Sequence, residues 1–232
     1  MPYYRYRFSF GYGLTPMIKN LILIMVAVFL LQKIVELANP QAYFYFLYYL
    51  ALVPILVWKQ YFVWQLGTYI FLHGGIFHIL FNLLALWMFG GELENYWGSK
   101  KFLQFFLLCG IAAGICTVLF TPEIYQSIPV IGASGAIYGL LLAFGWLFPN
   151  RPIYIYFLFP IPAKYFVIIF GLIEFFSSVE GVGGGIAHLT HLGGLLFALI
   201  YMAYPTIRQK LRREYYKRKW SQKGPGSRDY YH

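Results

Sequence analysis

The chain has 232 residues, of which 60% are hydrophobic, 22% aromatic and only 11% charged. Soluble domains carry about 25% charged residues, so this chain has too little polar surface to cover a globule of its size in water. The net charge of +10 does not mark a nucleic-acid binder, because nine of the 18 Lys and Arg follow Tyr204 and most of the others flank apolar runs, as in a membrane protein whose basic residues stay on the cytoplasmic side.

Residues 1–17 carry Arg5 and Arg7 and read as a cytoplasmic N-terminal segment. The first apolar run, 18–38, lacks a small-residue cleavage site and is expected to remain as a helix. Lys19 and Lys33 bracket its most apolar part, and both can snorkel to the interface. Segment 42–58 is uncharged, contains Pro54 and is dense in Tyr, Phe and Trp. It is short for a span of about 20 residues. Its composition suits a segment lying in the interface, so 39–67 is read as an interfacial first loop rather than a seventh span.

Five further runs follow, near 68–90, 102–120, 133–149, 164–179 and 186–205. The fifth span contains Glu174, so part of it must face protein or water. Cys109 and Cys116 are seven residues apart in one run, about 10 Å along a helix, too far to bridge without distortion. From Arg208 the sequence reads as a basic cytoplasmic tail, 207–232, that touches anionic lipid. The expected fold class is thus all-α, a six-helix membrane domain over 18–206. With six spans and both termini inside, only Lys33 and Lys59 among the basic residues face out; a seventh span would move the N-terminal cluster outside.

In this topology spans two, four and six all run inward, and their outer turns hold the unusual polar groups: His73, His78 and Asn82; Ser134 and Tyr138; His188 and His191. Polar groups in a membrane are costly and mark sites. His78 and Asn82 share a helix face, as do Ser134 and Tyr138. Gly132, Gly135 and Gly139 around Ser134, and Gly194 beside His191, are small enough to let two helices approach closely in lipid. Close approach is what an attacking Ser134 hydroxyl and a His191 base require. The only aspartate, Asp229, lies in the tail, and Glu180 sits in a glycine-rich loop. The expectation is therefore a Ser–His dyad with no orienting acid, its imidazole held by packing with Tyr138. His78, Asn82 and the Ser134 amide at a helix start are the candidate donors to an oxyanion.

Together these residues resemble the rhomboid intramembrane serine proteases. The resemblance covers about 64–200: His73-x4-His78-x3-Asn82, Gly91-Glu92-Leu93-Glu94 with Gly98, Gly132-Ala133-Ser134-Gly135 with Tyr138 and Gly139, and His191-x2-Gly194. It implies Ser134 as nucleophile, His191 as general base, His78 and Asn82 in the oxyanion hole, Tyr138 packed on the histidine, and His188 in a structural hydrogen bond. It also implies single-pass transmembrane proteins as substrates, no cofactor or metal, an outward-opening site and a bacterial or archaeal plasma membrane. Loop 177–185 is expected to cap the site. Two positions depart from the family: Gln65 follows Trp64 where Arg is frequent, and Ala198 replaces a frequent glycine. The competing readings are an inactive rhomboid-like binding protein, a transporter and a histidine metal site. The sequence does not state the oligomeric state.

Overall fold

The computed structural model describes residues 14–155, 159–180 and 186–222. Arg5, Arg7, Gly181–Gly185 of the expected cap, and the tail beyond 222 lie outside the described residues. Nine α-helices account for most of what is described: α1 Pro16–Ala38, α2 Pro40–Leu50, α3 Pro54–Gln60, α4 Gln65–Thr68, α5 Ile76–Trp97, α6 Ser99–Phe120, α7 Ser134–Leu147, α8 Ala163–Glu180 and α9 Ile186–Gln222. Four of them, α1, α5, α6 and α9, are long and apolar enough to cross a membrane, while α7 is a shorter apolar helix of 14 residues.

Three differences from the sequence reading matter. The second span begins at Ile76 instead of 68, because the backbone breaks at His73–Gly75 after a single 3-10 turn at Tyr69–Phe71. His73 is therefore in a connector and not in the span. The all-α expectation misses an antiparallel hairpin, β1 Pro152–Ile155 and β2 Phe159–Pro162, with Pro152 opposite Pro162. Both strands are edges, where proline costs no ladder bond. Finally, α9 continues through Pro205 to Gln222, and the first four residues of the expected cap, Ser177–Glu180, form the end of α8.

The region read as an interfacial loop folds as three short helices, none of spanning length. Each of α1, α2 and α3 starts with proline, whose missing N–H is no loss in a first turn. The Asn39 side chain caps α2 through the amides of Gln41 and Ala42. Gln65, the departure noted above, is fully buried. It accepts from Val53 N at 3.0 Å and donates to the Tyr48 carbonyl at 2.8 Å, while Trp64 Nε1 bonds the Tyr49 carbonyl at 2.8 Å. An amide with one donor side and one acceptor side thus secures this loop without a charge.

The core runs between α5, α6, α7 and α9, with Phe102, Phe105, Phe106, Cys109, Ala136 and Leu140 all fully enclosed. Glu94, near the end of α5, is buried and accepts from Met17 N (2.9 Å), Ile18 N (3.0 Å), Ser99 Oγ (2.6 Å) and Thr15 Oγ1. One carboxylate thereby satisfies the free amides that start α1 and complements that helix's positive end.

Candidate active site

Ser134 is the first residue of α7, and the turn before it depends on Gly132, which has φ +125° and donates its N–H to the Tyr69 carbonyl at 2.9 Å. A side chain there would be strained, and its Cβ would stand 2.7 Å from His78 Nε2. Ser134 begins the helix, so its amide lacks a partner within the helix and points along the positive end of the dipole.

Small residues bring α7 and α9 together. A Cβ on Gly194 would lie 1.9 Å from the Gly135 carbonyl oxygen, and one on Gly139 would lie 2.5 Å from Cys109 Sγ. One on Gly135 would meet Ala113 Cβ at 2.7 Å. The first contact is backbone against backbone and joins α7 to α9, while the other two seat α7 against α6. Ala198, the other departure, is fully buried and needs no further space. Thr190 adds a polar tie, 2.7 Å from Thr117 on α6.

At this contact His191 Nε2 lies 2.7 Å from Ser134 Oγ. The Tyr138 ring, one turn into α7, stacks on the His191 ring with centroids 4.3 Å apart and planes 16° apart. On α5, His78 Nδ1 accepts from Gly74 N at 3.3 Å, which leaves the ring proton on Nε2, the atom facing Gly132. Asn82 Nδ2 instead donates to the His78 carbonyl at 2.7 Å, so its amide is engaged on its own helix. His73 is fully buried with its ring 5.2 Å from that of His78; its backbone is clasped by Gln32 of α1, through Oε1 to His73 N at 3.0 Å.

The expectation that no acid reaches His191 is overturned. Glu174 of α8 is buried, and its Oε2 lies 3.1 Å from His191 Nδ1 and 2.6 Å from His188 Nδ1, while Tyr138 donates its hydroxyl to Oε1. The His191 contact is off the line of a straight N–H···O bond. The signal was in the sequence: an acid in an apolar run, about 9 Å of helix from the end that carries the site. A search confined to aspartate and to loop acids passes over it. His188 makes the structural hydrogen bond expected of it, and this carboxylate is its partner.

Glu174, His188 and His191 also place ligand atoms within 4.8 Å of one another. A tetrahedral zinc with bonds near 2.0 Å holds its ligand atoms about 3.3 Å apart. The 2.6 Å between His188 and Glu174 is a hydrogen-bond separation, so shared protons account for the cluster.

A cavity of 780 Å³ opens beside the pair. It is lined by Phe77, Phe81, Leu84 and Met88 of α5 and by Phe166 and Phe170 of α8, together with His78, Asn82, Ser134 and His191. It is a mostly apolar cavity with a few polar groups in its lining, the form of a binding cleft.

Apolar helices around a recessed serine and histidine define an integral, multi-pass membrane protein. The Rhomboid domain model matches residues 60–208, and the chain belongs to the rhomboid family. It is 38% identical over 134 residues to Rhomboid protease GluP of Bacillus subtilis, covering 57% of this chain and 24% of that protein. Rhomboid protein 1, mitochondrial, of Saccharomyces cerevisiae is 32% identical over 143 residues, 58% of this chain and 39% of its own length. Putative rhomboid protease YdcA of Bacillus subtilis is 31% identical over 152 residues, 65% of this chain and 70% of its own length. The chain thus spans well under half the length of the first two.

Proposed function

We propose that the protein is an intramembrane serine endopeptidase that cleaves transmembrane segments, with six spans (α1, α5, α6, α7, α8 and α9), both termini cytoplasmic and the site open to the outer face. The observation that carries this reading is the 2.7 Å contact between Ser134 Oγ and His191 Nε2, formed where backbone touches backbone. Names of relatives such as Rhomboid protease GluP point the same way.

In the reaction, His191 Nε2 takes the hydroxyl proton as Ser134 Oγ attacks a peptide carbonyl. The negative oxygen meets the Ser134 amide and His78 Nε2–H; Asn82 joins by exchanging its bond to the His78 carbonyl for one to the oxyanion. The proton passes from His191 to the leaving amine, and His191 then activates water to release the acyl group. A substrate helix hides its carbonyls, so it must unwind locally before attack. Substrates are therefore single-pass proteins with helix-destabilising residues. The apolar groove between α5 and α8 suits a segment arriving sideways from lipid. Membrane lipids contact the outer faces and the basic end of α9.

The test is cleavage of a transmembrane reporter by detergent-purified protein, with fluorophosphonate labelling of Ser134. Ser134→Ala is expected to abolish both, and His191→Ala to abolish both to background. Full cleavage by either variant would falsify the reading.

A further inference from the structure

Glu174 is the one buried acid beside the proposed nucleophile and base among the described residues, and the dyad mechanism gives it no task. A carboxylate in apolar surroundings is expensive unless every lone pair is used. This one accepts hydrogen bonds from side chains on two other helices, Tyr138 of α7 through Oε1 and His188 of α9 through Oε2, and its Oε2 lies 3.1 Å from His191 Nδ1, also of α9, in an off-axis contact. Structural need alone would be met by Tyr138 and His188. The third contact reaches the Nδ1 atom of the base, on the far side of the ring from Ser134.

Two consequences follow from hydrogen-bond chemistry. A carboxylate can only accept, so its charge 3.1 Å from His191 Nδ1 favours the ring proton on that nitrogen and leaves Nε2 with its lone pair toward Ser134 Oγ. The opposite tautomer would present a proton to the hydroxyl and could not act as base. The same carboxylate fixes Tyr138, whose ring lies flat on His191, so the imidazole is held at its edge and on its face by one group.

We propose that Glu174 is a positioning residue for the reaction: it selects the tautomer and orientation of His191, making a Ser–His–Glu relay whose acid is contributed by α8. The proposal rests on the protease reading above. It also makes catalysis depend on where α8 sits, since outward displacement of that helix would withdraw the carboxylate from Tyr138, His188 and His191 together.

The effect is expected to be smaller than the loss of about 10⁴-fold in kcat seen when a triad acid is neutralised in a serine protease, because the contact to His191 is off-axis. The experiment compares Glu174→Gln, Glu174→Leu and Glu174→Asp in the full chain in detergent, with Ser134→Ala alongside. Measured are thermal unfolding, kcat and KM on the transmembrane reporter. For Glu174→Gln and Glu174→Leu, kcat is expected to fall about 10- to 100-fold with KM within threefold, while the folded fraction at the assay temperature is unchanged. Glu174→Asp, which keeps the charge, is expected to recover part of that loss. The positioning role is overturned if Gln and Leu keep kcat within twofold, if kcat falls only in step with the folded fraction, or if Asp is no better than Leu. Full cleavage by Ser134→Ala would instead sink the underlying protease reading.

Discussion

Gly132 shows how much the site depends on one residue having no side chain. Its φ of +125° and the 2.7 Å from a would-be Cβ to His78 Nε2 are two separate penalties. Gly132→Ala is expected to lose about 1–3 kcal/mol of stability from backbone strain and to push His78 off the place proposed for it beside the oxyanion. Cleavage should fall further than unfolding accounts for, which parallel melting and turnover measurements would reveal; an unchanged turnover per folded molecule would contradict the placement of His78. Asn82 tests the same position from a different side. Its amide is tied to the His78 carbonyl at rest, so Asn82→Ala should barely move the melting temperature. If the amide swings to the oxyanion, kcat should drop by the equivalent of about 2.7–4 kcal/mol in barrier. A drop confined to KM would mean that Asn82 binds substrate and leaves the transition state alone. That these residues sit together was legible at this scale because rare polar residues in an apolar chain are informative. Glu174 was rare in the same way, yet its partners are set by helix depth and not by neighbours in sequence.

The helices α7 and α9 meet at glycine, and this contact joins sequence to geometry most directly. The small residues Gly135, Gly139 and Gly194 were readable as packing positions, and the structure places all three where a methyl group does not fit. Gly194→Ala would set Cβ 1.9 Å from a carbonyl oxygen. Backbone cannot rotate away as a side chain can, so the helices must separate. The expected cost is at least about 1–3 kcal/mol, with Ser134 and His191 losing their contact. Gly91→Ala in α5 is the counter-case: no neighbour lies within 4 Å of its would-be Cβ, and alanine in a helix interior is better by roughly 0.5–1 kcal/mol. Melting curves should move down for Gly194→Ala and up for Gly91→Ala. Other elements were less readable, each for a physical reason. The start of α5 was placed too early because the apolar run continues unbroken through Tyr69–Leu72, and hydropathy does not see the turn at Gly74–Gly75. The β1–β2 hairpin escaped because its strands are apolar on both faces and rich in proline, giving neither alternation nor a helical period.

Two buried carboxylates organise the whole molecule, and they lie at opposite ends of it. Glu94 is sixteen residues along α5 from His78, about 24 Å of helix. It ties the start of α1 to α5 and α6, while Glu174 ties α8 to α7 and α9. A chain with 11% charged residues has few electrostatic contacts to spare. Glu94 should therefore bear on stability alone, and Glu174 on turnover as well. Glu94→Ala leaves the Thr15 and Ser99 hydroxyls and the Met17 and Ile18 amides without their acceptor and removes a charge from a helix start. A loss of about 3 kcal/mol is expected, with turnover per folded molecule unchanged because nothing at Ser134 moves. Glu174→Leu should lower turnover per folded molecule, and it also costs stability, about 1–3 kcal/mol, because the Tyr138 hydroxyl and His188 Nδ1 lose their acceptor. The two sites share no partner and are far beyond the 7–10 Å within which mutations couple. The two losses of stability should therefore add in the double variant, and its turnover per folded molecule should equal that of Glu174→Leu. A coupling larger than about 0.5 kcal/mol in either quantity would mean that the clasp at one end of the bundle sets the position of α8 at the other, and the division of labour between the two carboxylates would have to be abandoned.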